Sequence, residues 1–171
     1  TIRTTDRPVL MANGVPTGSY RRAIVASDLS TYSEAMIRKA KSLGLLDRLN
    51  VSLLHVFSAP GTAMMNRASM SDDKIQSYIT GERKGVKEEV KSFMDKVNVD
   101  EMSIILKLAT ANIAETIYET ANELSANWIV VGTCSRSAFA RVLMGNVAEG
   151  VLRNSDRDVL AKPPPQDRAV S

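Results

Sequence analysis

Cysteine, histidine and aromatic residues are scarce in this chain, and each scarcity excludes something. One cysteine, Cys134, in 171 residues rules out an intrachain disulfide and fits a reducing compartment. One histidine, His55, leaves no His-rich metal centre. It lies in an apolar run and reads as a satisfied core histidine, so no catalytic base and no metal site are expected. Aromatics make up 5%, too few for a base-stacking platform, and basic and acidic residues nearly balance at 22 against 19. No run of like charge marks a nucleic-acid tail, and nucleic acid is not expected as a partner. No stretch reaches the roughly 20 apolar residues that a membrane helix requires, so no membrane partner is expected either. No basic-then-apolar leader pattern opens the chain, and a cytoplasmic protein is expected.

What is present is ordinary for a globular domain: 44% hydrophobic and 24% charged residues, enough for one well-filled core. Residues 1–19 carry Pro8, Gly14, Pro16 and Gly18 without periodicity. They read as a flexible arm in which Val9-Leu10-Met11 is able to dock on the body or on a second subunit. The tail 163–171, P-P-P-Q-D-R-A-V-S, reads as extended and mobile.

Residues 20–162 alternate strand and helix. Short apolar runs at 22–27, 50–57, 102–108, 128–131 and 158–162 read as strands. Helical patterns fill 31–44, 72–97, 112–125 and about 138–154. Capping boxes are expected at Thr31 with Glu34 and at Asn112 with Glu115. The core faces read as Met36, Ile37, Ala40 and Leu43 on the first helix, and Ile113, Ile117, Ala121 and Leu124 on the third. Gly81 and Gly85 are positions where the long helix is expected to break or bend. Ser58 to Ser71 reads as a linker rich in small residues and methionine, with Met64, Met65 and Met70 in a cover over the sheet edge. The alternation predicts an α/β fold: a five-stranded, mostly parallel, doubly wound sheet with helices on both faces. In such sheets ligands sit outside the carboxyl ends of the strands, where the strand order reverses. The ends of the first and fourth strands, Ala26-Ser27-Asp28 and Gly132 onward, are expected to meet there.

The stretch W-I-V-V-G-T-C-S-R-S-A-F-A-R-V-L-M-G-N-V-A-E-G-V-L-R, residues 128–153, carries the most chemistry. A buried strand empties through Gly132 into a small polar loop, and Gly145 precedes a helix. Backbone N–H groups and a helix N-terminus of this kind form anion pockets. The loop offers Thr133, Ser135 and Ser137 but no base to activate them. There is no Walker lysine and no G-x-G-x-x-G. No catalytic residues are expected, and at most slow ATP hydrolysis by water.

The strings R-R-A-I-V-A-S-D-L-S, L-L-H-V-F, A-x-x-I-x-x-x-A (Ala114, Ile117, Ala121), W-I-V-V-G-T, L-M-G-N-V-A-E-G-V-L-R and D-V-L-A resemble, in order and spacing, the universal stress protein family from about Tyr20 to Lys162. The resemblance implies a Rossmann-like fold, a homodimer formed through the last strand, and membership of either a branch that binds ATP or AMP, possibly with Mg²⁺, or one that does not. By position it implies nucleotide contacts from Ala26, Ser27 and Asp28, from Val56, from Val131, Gly132 and Ser135, and from Gly145, Asn146 and Val147. Arg136, beside the loop, is a candidate phosphate partner. The family signature G-x2-G-x9-G-(S/T) is altered here: Ser135 stands for the second glycine and Asn146 for the final hydroxyl, while both spacings are kept. Ser135 adds a hydroxyl and Asn146 an amide donor, but a Cβ at 135 crowds an approaching phosphate.

Three other residues have competing readings. Asp28 either contacts ligand or caps the following helix. Cys134, near a helix N-terminus, is in a setting that lowers thiol pKa, but reads first as a small loop residue. Arg141 reads as a solvated helix face. The expected function is a regulator that binds an adenosine nucleotide and acts through loop ordering and dimerisation. The alternative is a dimeric interaction module that binds no nucleotide and engages an unidentified protein partner. A flavoprotein-like enzyme is a distant third, for want of a catalytic set.

Overall fold

The computed structural model describes residues 7–13, 18–99, 101–109, 112–133 and 145–162. Its elements are β1 (Val9–Met11), β2 (Arg22–Ala26), α1 (Thr31–Ser42), β3 (Asn50–Phe57), α2 (Gly61–Arg67), α3 (Asp72–Val97), β4 (Ser103–Leu108), α4 (Ile113–Glu123), β5 (Trp128–Gly132), α5 (Asn146–Asn154) and β6 (Asp158–Lys162). They form one sheet in the order β1-β6-β5-β2-β3-β4, parallel except for β1. The sheet has six strands, not five. The addition comes from the N-terminal arm, where Val9, Leu10 and Met11 pair with Ala161, Leu160 and Val159.

Period-two alternation sorts the strand residues onto two cores. Ala23, Val25, Leu53, Trp128, Val130 and Leu160 face one side, against Met36, Ile37 and Ala40 of α1 and Val90, Phe93, Met94 and Val97 of α3. Ile24, Ala26, Leu54, Ile129, Val131, Val159 and Ala161 face the other, against Ala114, Ile117 and Ala121 of α4 and Ala148 and Val151 of α5. Strands covered on both faces need apolar residues at every position, which is why W-I-V-V reads as an unbroken run. Burying one Val, Leu or Ile side chain contributes about 1.5–3 kcal/mol, so the two layers hold the central strands firmly.

The helices differ from the sequence reading in detail. Helix α1 is capped by Ser30, whose Oγ accepts the Ser33 N–H at 3.2 Å, so Thr31 is the first helical residue and not the cap. At α4 the Asn112 cap is as expected, accepting from the Ala114 N–H at 2.9 Å. Leu43 and Ile113 lie outside the core, 49% and 39% exposed, because each falls at a helix end past the covered turn. Helix α3 runs unbroken through Gly81 and Gly85, where an added Cβ would meet nothing within 4 Å. Its 26 residues are held by packing rather than by propensity at those two positions. The stretch read as a linker contains α2, which stacks on α3: the Gly61 N–H donates to the Tyr78 hydroxyl at 3.3 Å. Met64 on α2 is 75% exposed. Among the described residues, no helix is long and apolar enough to cross a membrane.

Candidate functional site

The chain builds outward from β2 to β3 and β4, then returns to place β5 and β6 on the other side of β2. The strand order therefore reverses between β2 and β5, where Ala26 pairs with Val131. At such a point the connections leave in opposite directions and open a crevice.

One wall is the turn from β2 into α1. Its backbone is fixed on every side. The Ser27 N–H donates to the Leu54 carbonyl at 3.0 Å, extending the sheet by one residue. The Ser27 carbonyl lies 2.8 Å from His55 Nδ1, and its Oγ accepts the Leu29 N–H at 3.0 Å. Leu29 has a φ of 61°, a left-handed conformation that a leucine adopts only where its neighbours enforce it.

The enforcing group is Asp28. Its Oδ1 accepts from the Ser30 N–H at 3.1 Å, the Ser30 hydroxyl at 2.6 Å and the Ser33 hydroxyl at 2.6 Å. The Asp28 N–H donates to Ser33 Oγ at 3.3 Å. Asp28 and both serines thus form a closed ring that locks a carboxylate at the mouth of the crevice. Three donors on one oxygen give the carboxylate a fixed direction. Asp28 does not cap α1 itself; it organises Ser30, which does. The capping and ligand readings of Asp28 are therefore not exclusive.

The other wall is β5 and its continuation. Thr133 is buried, and both its N–H and its Oγ1 donate to the Lys162 carbonyl, at 3.1 and 3.2 Å. The chain returns at Gly145, whose N–H donates to the Thr133 carbonyl at 2.8 Å. Gly145 is then the N-cap of α5, with extended backbone and no side-chain cap. The Glu149 N–H bonds back to the Gly145 carbonyl at 3.0 Å, so the N–H groups before it have no partner within the helix itself. A helix N-terminus without a capping side chain offers its N–H groups to an external acceptor.

Of the sequence-derived candidates, Ala26 ends β2 and Ser27 and Asp28 follow it, Val131 and Gly132 end the adjacent β5, and Val56 lies near the end of β3 on the other flank. Gly145, Asn146 and Val147 open α5, tied to β5 through Thr133. All lie at the carboxyl edge of the sheet. Ser135 and Arg136, with Cys134, Ser137 and Arg141, lie outside the described residues. Among the described residues, a Cβ added at Gly132 would meet only Met36 Sδ, at 3.9 Å, an ordinary contact.

Four site residues escaped the sequence reading. His55 is half-buried and bonds the carbonyl next to Asp28, rather than sitting in the core. Ser30 and Ser33 complete the Asp28 ring, and Leu29 makes the left-handed turn beside it. The signal was available in S-D-L-S-T-Y-S: Asp and Ser two and five apart before a helix form side-chain-to-backbone turns.

Comparison with known proteins agrees with this fold. The model of the universal stress protein family matches residues 19–163. Universal stress protein MJ0577 of Methanocaldococcus jannaschii is 23% identical over 154 residues, 82% of this chain and 93% of that protein. The solved structure of MJ0577 superposes with a TM-score of 0.68 at 17% identity, covering 86% of this chain and 99% of that one. The universal stress protein E homolog of Haemophilus influenzae is 27% identical over 94% of this chain, which spans about half of that relative, 53%. A universal stress protein solved in complex with cAMP superposes at a TM-score of 0.54 and 20% identity, covering 84% of this chain and 97% of that one. At these identities the structural likeness establishes the shared α/β fold.

Proposed function

This chain belongs to the universal stress protein family, and on that premise we propose that it is a cytoplasmic regulatory module that binds an adenosine nucleotide, ATP or AMP, in the crevice between β2 and β5. The observation that carries the reading is the pairing of a locked carboxylate, Asp28, with an uncapped helix N-terminus, that of α5, across adjacent strands. A nucleotide has the complementary polarity. Its ribose or adenine donors suit the Asp28 carboxylate and its phosphates suit the α5 N–H groups, the Asn146 amide and the 133–145 loop with Arg136. The backbone at Val56 would flank the base. Mg²⁺ belongs to this reading as the phosphates' own counter-ion. The cAMP complex of a family member with the same fold supports an adenine nucleotide as the ligand class.

The output would be mechanical rather than chemical. Ligand bridging two strands would order the loop between Thr133 and Gly145 and change the face offered to a second copy, giving a ligand-responsive homodimer. At 100 times its dissociation constant a ligand raises folded-state stability by about 2.7 kcal/mol. Thermal unfolding and hydrogen exchange with saturating ATP or AMP test this. A rise in midpoint with slowed exchange in the loop is expected. No shift and no protection would leave the second reading, a protein-interaction module, which the Ser135 and Asn146 departures from the family signature favour.

A further inference from the structure

The edge of β6 is occupied by the chain's own N-terminal strand. An open edge presents a row of unpaired N–H and C=O groups and templates pairing with another copy. Here β1 lies antiparallel on β6, with Val9, Leu10 and Met11 opposite Ala161, Leu160 and Val159. Three residues make a short strand, and Leu10 at its centre is 48% exposed, so β1 is held by little of its own burial.

The segment is held instead by a clasp just beyond it. The Asn13 N–H donates to Asp158 Oδ1 at 2.8 Å. The Asn13 side-chain amide donates to the Ser155 and Arg157 carbonyls, both at 3.0 Å. From the other end of the connection, the Tyr20 hydroxyl donates to Asp158 Oδ2. The Tyr20 ring stacks on Trp128 with centroids 5.7 Å apart and planes 15° from parallel. Asp158 opens β6, so one carboxylate at the strand's first residue holds both Asn13, just after β1, and Tyr20, just before β2. Asp158 thereby holds a strand of the same chain against the edge that it opens.

We propose that residues 9–13 form a self-inhibitory strap, clasped by Asp158, that closes the β6 edge in cis and excludes a second copy from it. A second strand on β6 requires the same outward N–H and C=O groups that β1 uses, so the two pairings are mutually exclusive. The few hydrogen bonds of a three-residue strand make the strap releasable without unfolding the sheet. Any homodimer of the strapped chain uses another face, and release of the strap adds the β6 edge as a contact. The inference is independent of the nucleotide reading.

The test compares the full chain with a variant lacking residues 1–13, by light scattering and by hydrogen exchange at Val159 to Ala161, at several protein concentrations without nucleotide. In the full chain these amides exchange slowly and at a rate independent of protein concentration. The shortened variant at least doubles in mass relative to the full chain, and its protection at these amides grows with concentration. A shortened variant that keeps the mass of the full chain overturns the proposal. So does full-chain protection that rises with concentration. Should the shortened variant fail to fold, the full-length Asn13→Ala/Tyr20→Phe variant opens the clasp alone. Faster exchange at low concentration and a concentration-dependent rise in mass are expected. Exchange and mass equal to those of the unaltered chain overturn the proposal.

Discussion

Replacing Gly150 with alanine separates two physical effects of opposite sign. Gly150 lies in the middle of α5, and in a helix interior alanine is favoured over glycine by about 1 kcal/mol. Propensity alone therefore predicts a more stable protein. The structure predicts the reverse. A Cβ on Gly150 would lie 2.7 Å from the Cβ of Ala114 on α4. Carbon atoms pack best at about 3.5–4.0 Å, so the two helices must part by roughly 1 Å. Alanine has no rotamer with which to yield, and the movement falls on the backbone. Overpacking of this kind costs about 1–3 kcal/mol, enough to cancel the propensity gain and leave a net loss of up to about 2 kcal/mol. Gly81→Ala and Gly85→Ala supply the contrast, because an alanine there meets nothing within 4 Å and the helix gain of up to about 1 kcal/mol is realised. Urea unfolding with linear extrapolation measures all three. The double variant Gly150→Ala/Ala114→Gly removes the clashing atom and should show coupling relative to the two single changes. A Gly150→Ala protein as stabilised as Gly81→Ala refutes the close α4–α5 contact. The contact bears on the proposed site because α5 begins with Asn146, directly after its N-cap Gly145. A shift of α5 displaces the N–H groups proposed to meet the phosphates, so Gly150→Ala should also weaken nucleotide binding.

Two further changes have defined outcomes. Ser30→Ala removes the α1 cap and one arm of the Asp28 ring and should cost about 1 kcal/mol or more, whereas Thr31→Ala should cost little; chemical unfolding of both decides which residue is the cap. Tyr20 has its pKa raised above the ordinary value near 10, by its hydrogen bond to Asp158 first, then by burial and by the charge of Asp158. The folded state therefore holds this proton more tightly than the unfolded chain. The contribution is present below the unfolded pKa and is lost as pH rises through the folded one. Stability should fall on the alkaline side above about pH 10, and Tyr20→Phe should flatten that part of the curve; an unaltered alkaline slope contradicts the bond.

The sheet was legible because buried parallel strands write their burial directly into sequence. R-A-I-V-A, N-V-S-L-L-H-V-F and W-I-V-V-G each appear as strands close to the predicted bounds. The sixth strand was not, since V-L-M between prolines and glycines has no periodicity to read and becomes a strand only because β6 offers it an edge. Helix α2 was hidden for a related reason: none of its seven residues is buried, so no apolar stripe marks it. Asp28 stood out as a candidate by its position after a strand, but its ring did not, because the serines act through a left-handed turn at Leu29 that residue types alone do not declare. His55 looked like core because its strand is apolar. Only the register, which puts it beside Ser27, reveals that it braces the turn.

The most direct test of the central claim is isothermal titration of the protein, stripped of any co-purified ligand, with ATP and Mg²⁺, alongside Asp28→Asn. Asparagine keeps an oxygen for Ser30 and Ser33 while removing the charge, so the turn is retained and the ligand contact is altered. Binding in the micromolar range, weakened about tenfold or more in Asp28→Asn as expected for losing a charged hydrogen bond, is the predicted result. No heat from the unaltered protein, or the same affinity in both, would contradict a nucleotide held between β2 and β5.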